Sequence, residues 1–262
     1  ISDERTGLTD YDPQEGRGQG VQHARGASGG GHGGSGGHGA GAHHVGQPYG
    51  NLYAPLEYGS NGGSGQGYGE LVFGDYITQQ TFRGANIISR VGHGGRGGGA
   101  LELYTDYLRI DGQVLLDGET PDAPYAGGGS GGSVFIECDE LFGHGVISAN
   151  GGDGNEEGGG AGSGGRIAIY HGLFRDLHNW NGTISAVGGK SAIEDGAAGT
   201  IFLHGGNGTH IHRILRVDNG DRHLPWAANR NLGRLTTIKD GHFGDIRDIG
   251  GVTWLHPDST DR

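Results

Sequence analysis

The sequence predicts an all-β fold, a right-handed parallel β-helix (a β-solenoid) with glycine-rich coils of about 33 residues. A glycine cluster runs directly into a strand-like pattern three times, and a weaker fourth copy follows. The four copies occupy residues 97–104, 131–137, 164–170 and 198–204. Their equivalent residues are Ala100, Ser133, Arg166 and Thr200, which are separated by 33, 33 and 34 positions. A repeat of this period is typical of stacked architectures, and no segment shows the periodicity of an α-helix.

The composition agrees with stacked strands better than with a globular core. Glycine accounts for 63 of the 262 residues, and only 32% of the residues are hydrophobic. The glycines lack the strict period of collagen, and disorder is the usual consequence of such a composition. The alternation of apolar residues after each glycine cluster favours strands with one buried face instead. Glycine is expected at the bends, where it supplies positive φ and lets stacked backbones approach closely.

Two strands are predicted in each repeat. The first follows the glycine cluster, and its inward residues are all apolar: Leu101, Val134, Ile167 and Ile201. The second lies within residues 113–118, 146–151 and 183–188, with Val114, Ile147 and Ile184 facing inward. A shift by one residue would bury Glu102 and Glu137, so burial fixes the register. Equivalent strands should lie parallel, about 4.8 Å apart. The alternative is an antiparallel sandwich, which would need turn signals every 8 to 12 residues, roughly.

The chain divides into three parts. Residues 1–25 are polar and charged, as in an arm that is flexible or docked elsewhere. Residues 26–69 are rich in glycine and histidine, with spaced prolines and aromatic residues, and they predict an irregular wrap over one end or side of the repeats. Residues 70–262 form the β-helix, and we expect 26–262 to be one structural unit. Further short strands are predicted at 71–73, 85–88, 235–238, 246–249 and 252–255.

The repeats differ in one loop and contain one cysteine. Val114 and Ile147 are 33 residues apart, whereas Ile147 and Ile184 are 37 apart, so the third repeat carries about four extra residues in a loop. Cys138 falls on the inward face of its strand, where we expect it to be a small buried hydrophobic residue. A single cysteine excludes an internal disulfide and a site made of several thiolates.

Charge and hydropathy restrict the partners and the location. The chain has 30 acidic and 18 basic residues, a formal net charge of −12, and no basic stripe, so nucleic acid is not expected as a partner. No run of about 18 apolar residues is present, so membrane insertion is not expected. The chain begins at Ile1 and contains no methionine. We therefore expect a processed piece of a longer precursor, secreted to the extracellular space.

Three stretches carry a resemblance to a known family. They read Gly-Gly-Gly-Ser-Gly-Gly-Ser-Val-Phe-Ile at 127–136, Gly-Val-Ile-Ser-Ala-Asn-Gly-Gly at 145–152 and Gly-Ser-Gly-Gly-Arg-Ile-Ala-Ile-Tyr at 162–170. Residues 182–189 and 199–220 fit the same pattern. The pattern resembles glycine-rich β-helical modules of large secreted or cell-surface proteins and covers roughly residues 29–220. The resemblance implies an extracellular structural or adhesive role and brings no catalytic residues.

Two groups of residues are candidates for binding or modification. Four outward aromatic residues form a strip across adjacent repeats: Tyr104, Phe135, Tyr170 and Phe202. Such a strip suits stacking on sugars, or packing against residues 26–69. Asn181 and Asn207 begin Asn-Gly-Thr sequons in predicted turns, and at least one should carry a glycan in a eukaryotic source. The alternative explanation is the turn preference of asparagine and glycine.

No metal, cofactor or catalytic site is predicted. His32, His38, His43 and His44 lie in the glycine-rich segment, but a metal needs converging ligands, and polar, solvated histidines are favoured. The acidic loop at 153–157 lacks the spacing of a calcium-binding loop. Gly-His-Gly at 143–145 resembles an element of the polygalacturonase family. The paired aspartates and the Arg-x-Lys element of that family are missing, so no enzyme activity is expected.

The sequence is compatible with two functions. The leading hypothesis is a non-catalytic extracellular structural protein that builds a self-assembling fibre, sheath or matrix. Stacked repeats expose strand edges at their ends, and no capping helix is predicted, so copies should join head to tail as a homopolymer. The alternative is a carbohydrate-binding or adhesive module of a larger cell-surface protein, with glycans as partners.

Overall fold

The fold consists of strands joined by turns and extended glycine-rich segments. A computed structural model describes residues 18–23, 25–67, 71–72, 81–82, 85–87, 90–172, 174–175, 180–207, 211–220, 247–249 and 252–254. No helix is found among them, and hence none long and apolar enough to cross a membrane. Residues 1–17 of the predicted arm and the predicted strand at 235–238 lie outside the described residues.

The strands are short except in the repeats. They are β1 (Gly65–Gly67), β2 (Leu71–Val72), β3 (Thr81–Phe82), β4 (Ala85–Ile87), β5 (Arg90–Gly92), β6 (Ala100–Arg109), β7 (Gln113–Leu115), β8 (Ser133–Phe142), β9 (Val146–Ser148), β10 (Arg166–His171), β11 (Phe174–Arg175), β12 (Thr183–Ser185), β13 (Thr200–Asn207), β14 (Ile211–Asp218), β15 (Arg247–Ile249) and β16 (Val252–Trp254). Before the repeats, β1 pairs with β5, and β4 pairs with β2 and β3, all antiparallel.

The first strands of the repeats form the parallel part of the largest sheet, in the order β13, β10, β8 and β6. Their register pairs Ala100 with Ser133, Ser133 with Arg166, and Arg166 with Thr200. Sequence periodicity aligned these same residues. The predicted register is therefore confirmed for the first strand of each repeat.

The second strands of the repeats form a separate parallel sheet of β7, β9 and β12. Its register pairs Val114 with Ile147 and Ile147 with Ile184, as predicted. The extra residues of the third repeat lie before β12. His171 pairs with Cys138, 33 positions earlier, whereas Trp180 bridges to Gly143, 37 positions earlier. The insertion is thus placed between His171 and Trp180, where a loop was expected.

The main hydrophobic core contains inward residues of both parallel sheets. Val134, Ile136, Ile147, Ile167 and Ile169 have no exposed surface. Burial of one such side chain contributes about 1.5–3 kcal/mol to stability. Cys138 is also buried in this core, as predicted. The inward residues of β8 and β10 pack with Ile147 of β9, and this contact holds the two parallel sheets together.

The glycine segments form a bundle whose hydrogen bonds repeat every three residues. In residues 127–132, successive N–H groups donate to the carbonyl oxygens of Gly63, Gly160, Glu119, Ser60, Ser163 and Leu116, in that order. Every third residue therefore faces the same neighbouring segment, which is the symmetry of a polyproline II helix. Such helices have no internal hydrogen bonds, so the backbone groups must pair with neighbouring segments.

Close backbone approach explains why these segments are glycine. A Cβ atom on Gly129 would lie 2.0 Å from the carbonyl oxygen of Arg96, and one on Gly131 would lie 2.0 Å from that of Ala149. Positive φ was also expected at the bends. It occurs at the turn glycines Gly143 and Gly158, but at no residue of the segment 127–132. Within that segment, glycine is needed for its missing side chain.

Residues 26–67, which the sequence predicted to be an irregular wrap over the repeats, supply a layer of this bundle. Ala27, Ser28 and His32 are fully buried. The N–H of Gly30 donates to the carbonyl of Gly128, and its own carbonyl accepts from Ser163. The sequence could not show this layer, because a glycine strand has no side-chain alternation that marks a buried face.

The chain reverses direction after β13. β14 pairs antiparallel with β13, β16 with β14, and β15 with β16. Residues 199–220 were expected to repeat the earlier pattern, but 211–218 instead cover the edge of β13 as the second strand of a hairpin. At the opposite edges, β6 and β7 are the outermost described strands of the two parallel sheets.

Candidate functional site

The predicted aromatic strip is continuous in the structure. Tyr104, Phe135, Tyr170 and Phe202 lie on β6, β8, β10 and β13, in that order. The ring centroids are 5.7 Å apart for the first pair, 5.5 Å for the second and 5.8 Å for the third. These separations lie within the range of favourable aromatic pairs. The parallel register brings the four rings together, because each occupies an outward position of its repeat.

Two of the four rings are covered by the N-terminal segment. Phe135 is 7% exposed and Phe202 is 5% exposed. They form a second hydrophobic cluster with Leu52, and the ring of Tyr53 meets that of Phe202 edge-on at 4.9 Å. Phe135 and Phe202 are therefore packing residues and are not available to stack on a ligand. The strip was expected either to stack on sugars or to pack against residues 26–69, and these two rings pack.

Tyr104 and Tyr170 border a groove of about 710 Å³, which we call the tyrosine groove. Its central residues are Tyr104, Glu137, Tyr170 and His204, which pair side by side across β6, β8, β10 and β13. Tyr104 is 61% exposed, and Tyr107, which also lines the groove, is 66% exposed. The Tyr170 hydroxyl donates a hydrogen bond of 2.9 Å to the carbonyl oxygen of Tyr53, which fixes that ring.

The tyrosine groove is electronegative. Four carboxylates line it, and no lysine or arginine occurs among its described lining residues. The carboxylates are Asp106, Glu137, Asp139 and Glu140. Burial, together with the nearby charge of Arg213, lowers the pKa of His204, so this imidazole is neutral near pH 7 and does not offset them.

A second group of polar residues lies where the N-terminal segment meets β10 and β13, and we call it the Arg166 cluster: His32, Tyr49, Glu57, Arg166 and Thr200. Arg166 is only 7% exposed. Its Nε donates to the carbonyl oxygen of Tyr49 at 2.8 Å, and its Nη1 donates to Oγ1 of Thr200 at 3.2 Å. Burial lowers the pKa of this guanidinium to about 10, and the charge of Glu57 acts in the opposite direction.

His32 is the most buried ionisable group of the Arg166 cluster. Its Nδ1 donates to the carbonyl oxygen of Gly131 at 2.8 Å, and its ring lies 4.6 Å from that of Tyr49. Burial and the charge of Arg166 lower the pKa of His32 to about 3, so the ring is neutral. Burial also raises the pKa of Tyr49 to about 12.

The Arg166 cluster joins the N-terminal layer to the repeats. The hydrogen bonds of Arg166 run from β10 to Tyr49 and, at 3.5 Å, to the carbonyl of His32. Sequence reasoning aligned Arg166 with Ala100, Ser133 and Thr200 but assigned it no role. A large charged residue in a column of small residues is the signal that could have identified it.

Other residues considered as metal ligands form hydrogen bonds and an ion pair within the fold. His38 pairs with the buried carboxylate of Glu194, which also accepts from the His38 N–H at 2.9 Å. In the acidic loop, the side-chain oxygen of Asn155 accepts from the N–H of Tyr125 and Glu157. No group of three or more potential metal-ligating side chains occurs within the described ranges.

The two sequons lie in different environments. Asn181 and Thr183 are exposed, and the N–H of Asn181 donates to the carbonyl oxygen of Gly143. Asn207 was expected in a turn, but it is the last residue of β13 and pairs with Phe174 of β11. Asn181 is therefore the better placed acceptor.

No family model, curated protein or solved structure matches the chain. The resemblance to glycine-rich β-helical modules rests on the sequence motifs alone. A function must therefore be inferred from the tyrosine groove, the Arg166 cluster and the edge strands β6 and β7.

Proposed function

We propose that the chain is a non-catalytic structural module of an extracellular assembly, a right-handed parallel β-helix that joins further copies through an open end. The β-helix is supported by parallel pairing at intervals of 33 or 34 residues in one sheet and of 33 and 37 in the other. The right-handed sense follows from the strong preference of parallel connections for that hand. The exposed sequon at Asn181 agrees with an extracellular location.

One observation supports the proposal: in the described residues, neither parallel sheet extends beyond the first repeat. Within the described part of the chain, β6 and β7 are each paired on one side only. Unpaired strand edges readily pair with another chain. Leu103 and Val114, on these strands, are partly buried, whereas their partners Ile136 and Ile147 are fully buried. A further layer of strands on this end would complete their burial.

The two ends of the stack differ. At the far end, β14 occupies the edge of β13, and β16 and β15 extend the sheet. Copies that meet through like edges close into a symmetric dimer, whereas addition of the open end to the far end of the next copy gives a polymer. Head-to-tail addition is the arrangement expected from the sequence. The two arrangements differ in mass, so one measurement separates them.

A non-catalytic role is supported by the burial of three reactive side chains, those of Cys138, His32 and Arg166. A nucleophile needs exposure and an activating base. Cys138 is buried, and burial raises the pKa of its thiol to about 11. His32 and Arg166 are buried and hydrogen-bonded to backbone carbonyls. The reactive groups of the core and of the Arg166 cluster therefore lack the access that catalysis needs.

Light scattering coupled to gel filtration over a wide range of protein concentration tests the proposal. We expect a mass above that of the monomer which grows with concentration. Leu115→Lys places a charge on the open edge at a residue that is 56% exposed, so it should shift the protein towards monomer without loss of strand signal in circular dichroism. Ile193→Lys, at a residue that is 43% exposed outside the sheets, is the matched control and should assemble normally. A monomer at every concentration would overturn the proposal.

A further inference from the structure

The tyrosine groove combines two features that together point to one class of ligand. Exposed tyrosine rings provide flat apolar faces, and carboxylates lie between and beside them. Tyr104 and Tyr170 are two strands apart, about 9.6 Å at the usual strand spacing, and Glu137 lies between them in the same register row. An elongated ligand that crosses the strands would meet a ring, a carboxylate and a second ring in succession.

The negative charge of the groove determines which elongated ligands fit it. Asp106, Glu137 and Asp139 form no ion pair within the described residues. The charge of Arg213 acts on Tyr170 and His204 at one end of the groove. An anionic polysaccharide would be repelled, and a neutral one would leave the carboxylates uncompensated. A ligand that carries positive charge complements the groove.

We propose that the tyrosine groove binds a polysaccharide with free amino groups, a polymer of amino sugars. Each residue of such a polymer presents a flat ring face that stacks on tyrosine and an ammonium group that pairs with a carboxylate. Tyr170 is held in place by its hydrogen bond to Tyr53, and the buried ring of Phe135 contacts the rings of both Tyr104 and the half-buried Tyr170. The binding face is thus preorganised, which reduces the entropic cost of binding.

Of the four aromatic residues that the sequence predicted as a strip, the proposed site keeps Tyr104 and Tyr170. The proposed site excludes the buried Phe135 and Phe202. It includes Tyr107 and the four carboxylates, which the sequence did not identify as candidate binding residues. The site lies on the outward face of the largest sheet and reaches β6, one of the two strands at the open end.

Calorimetric titration of the whole chain tests the inference with three compounds: a glucosamine hexamer, an N-acetylglucosamine hexamer and hexalysine. At mildly acidic pH and low salt, where the amines are protonated and the carboxylates ionised, the glucosamine hexamer should bind. The acetylated hexamer should bind at least about tenfold more weakly, because it lacks the charge. Hexalysine should also bind about tenfold more weakly, because it lacks ring faces.

Matched variants separate the groove from general surface charge. Tyr104→Ala and Glu137→Gln should each weaken binding of the glucosamine hexamer about fivefold or more. Tyr58→Ala, at a tyrosine that is 72% exposed outside the groove, and Glu156→Gln, in the exposed acidic loop, should bind like the unmodified chain. The inference is overturned if the glucosamine hexamer does not bind, if hexalysine binds equally well, or if Tyr104→Ala behaves like Tyr58→Ala.

Discussion

The Nδ1 of His32 donates a hydrogen bond of 2.8 Å to the carbonyl oxygen of Gly131. This contact crosses from the N-terminal segment to the glycine segment in front of β8, which are 99 residues apart in the chain. It places an ionisable ring in a bundle that otherwise consists mainly of glycine backbone. Burial in this bundle lowers the pKa of His32 to about 3, so the folded chain favours the neutral ring.

The first prediction concerns the pH dependence of stability. The pKa of His32 is about 3 in the folded chain and about 6.5 when the chain is unfolded. Between these values the unfolded chain binds one more proton, so the contribution of His32 to the free energy of unfolding falls as the pH is lowered, by about 1.4 kcal/mol per pH unit. Arg166, Glu57 and Tyr49 surround the ring, and a second positive charge beside Arg166 adds to the cost.

Urea unfolding at several pH values between about 4 and 6.5 measures this effect. His32→Asn keeps a side-chain donor for Gly131 but removes the titration, so its stability should depend less steeply on pH than that of the unmodified chain. His44→Asn, at an exposed histidine, should keep the original slope. Equal slopes for His32→Asn and the unmodified chain would contradict the assignment.

The second prediction concerns the glycine bundle. Gly129→Ala places a methyl group 2.0 Å from the backbone oxygen of Arg96, which cannot move without displacing the neighbouring segment. We expect a loss of more than about 4 kcal/mol in the free energy of unfolding, or no folded protein. At Gly99, which precedes β6, only the Cδ2 atom of Leu116 lies near an added Cβ, at 3.7 Å.

Gly99→Ala is therefore the matched control. It should be neutral, or stabilising by about 0.4–1 kcal/mol, because alanine restricts the unfolded chain. Urea denaturation of both variants gives the comparison. Equal tolerance of alanine at Gly129 and Gly99 would show that the layers do not pack as described.

The register of the repeats could be predicted from the sequence because side chains encode it. Leu101 and Val134 alternate with polar or variable neighbours, and the period of 33 residues aligns them as the strand pairing does. The glycine layers could not be predicted in the same way, since a residue without a side chain gives no sign of which face it buries. The hairpin of β13 and β14 was missed because alternation is the same in parallel and antiparallel strands.

The candidate site was predicted in part, because the alternation of side chains shows which residues of a strand face outward. Tyr104 and Tyr170 were identified as outward residues of their strands, and both border the groove. The burial of Phe135 and Phe202 depends on the path of the segment that carries Leu52 and Tyr53, which the sequence does not reveal. Long-range packing of this kind is set by tertiary structure and not by local pattern.

The third prediction concerns the buried guanidinium. Arg166→Met removes the hydrogen bonds to the carbonyl of Tyr49 and to Thr200, and it leaves Glu57 without its nearby positive charge. We expect a loss of about 1–3 kcal/mol, the usual cost of leaving a buried hydrogen-bonding group without its partner. Thermal and urea unfolding measure it.

Arg96→Met is the control for Arg166→Met. The Arg96 side chain is 88% exposed, and its Nε lies 4.0 Å from the carboxylate of Glu119. Exposed ion pairs of this kind contribute little, so this change should cost less than about 1 kcal/mol. Similar losses for the two variants would mean that Arg166 does not join the N-terminal layer to the repeats.

The fourth prediction concerns the turn that follows β9. The side-chain oxygen of Asn150 accepts hydrogen bonds from the Ser185 hydroxyl at 2.7 Å and from the Val187 N–H at 2.9 Å. The N–H of Asn150 in turn donates to the carboxylate of Asp117 in the preceding repeat at 2.6 Å. Side chains at this position therefore connect three successive repeats outside the strands.

Asn150→Ala leaves the Val187 N–H without its acceptor, and the unpaired group should cost about 1–3 kcal/mol. Asn181→Ala, at an exposed asparagine, should cost less than about 0.5 kcal/mol. Hydrogen exchange adds a local measurement: the Val187 amide should exchange faster in Asn150→Ala, while Ile147, in the middle of its sheet, should keep its protection relative to global stability. Unchanged protection of Val187 would show that Asn150 does not hold the turn of the following repeat.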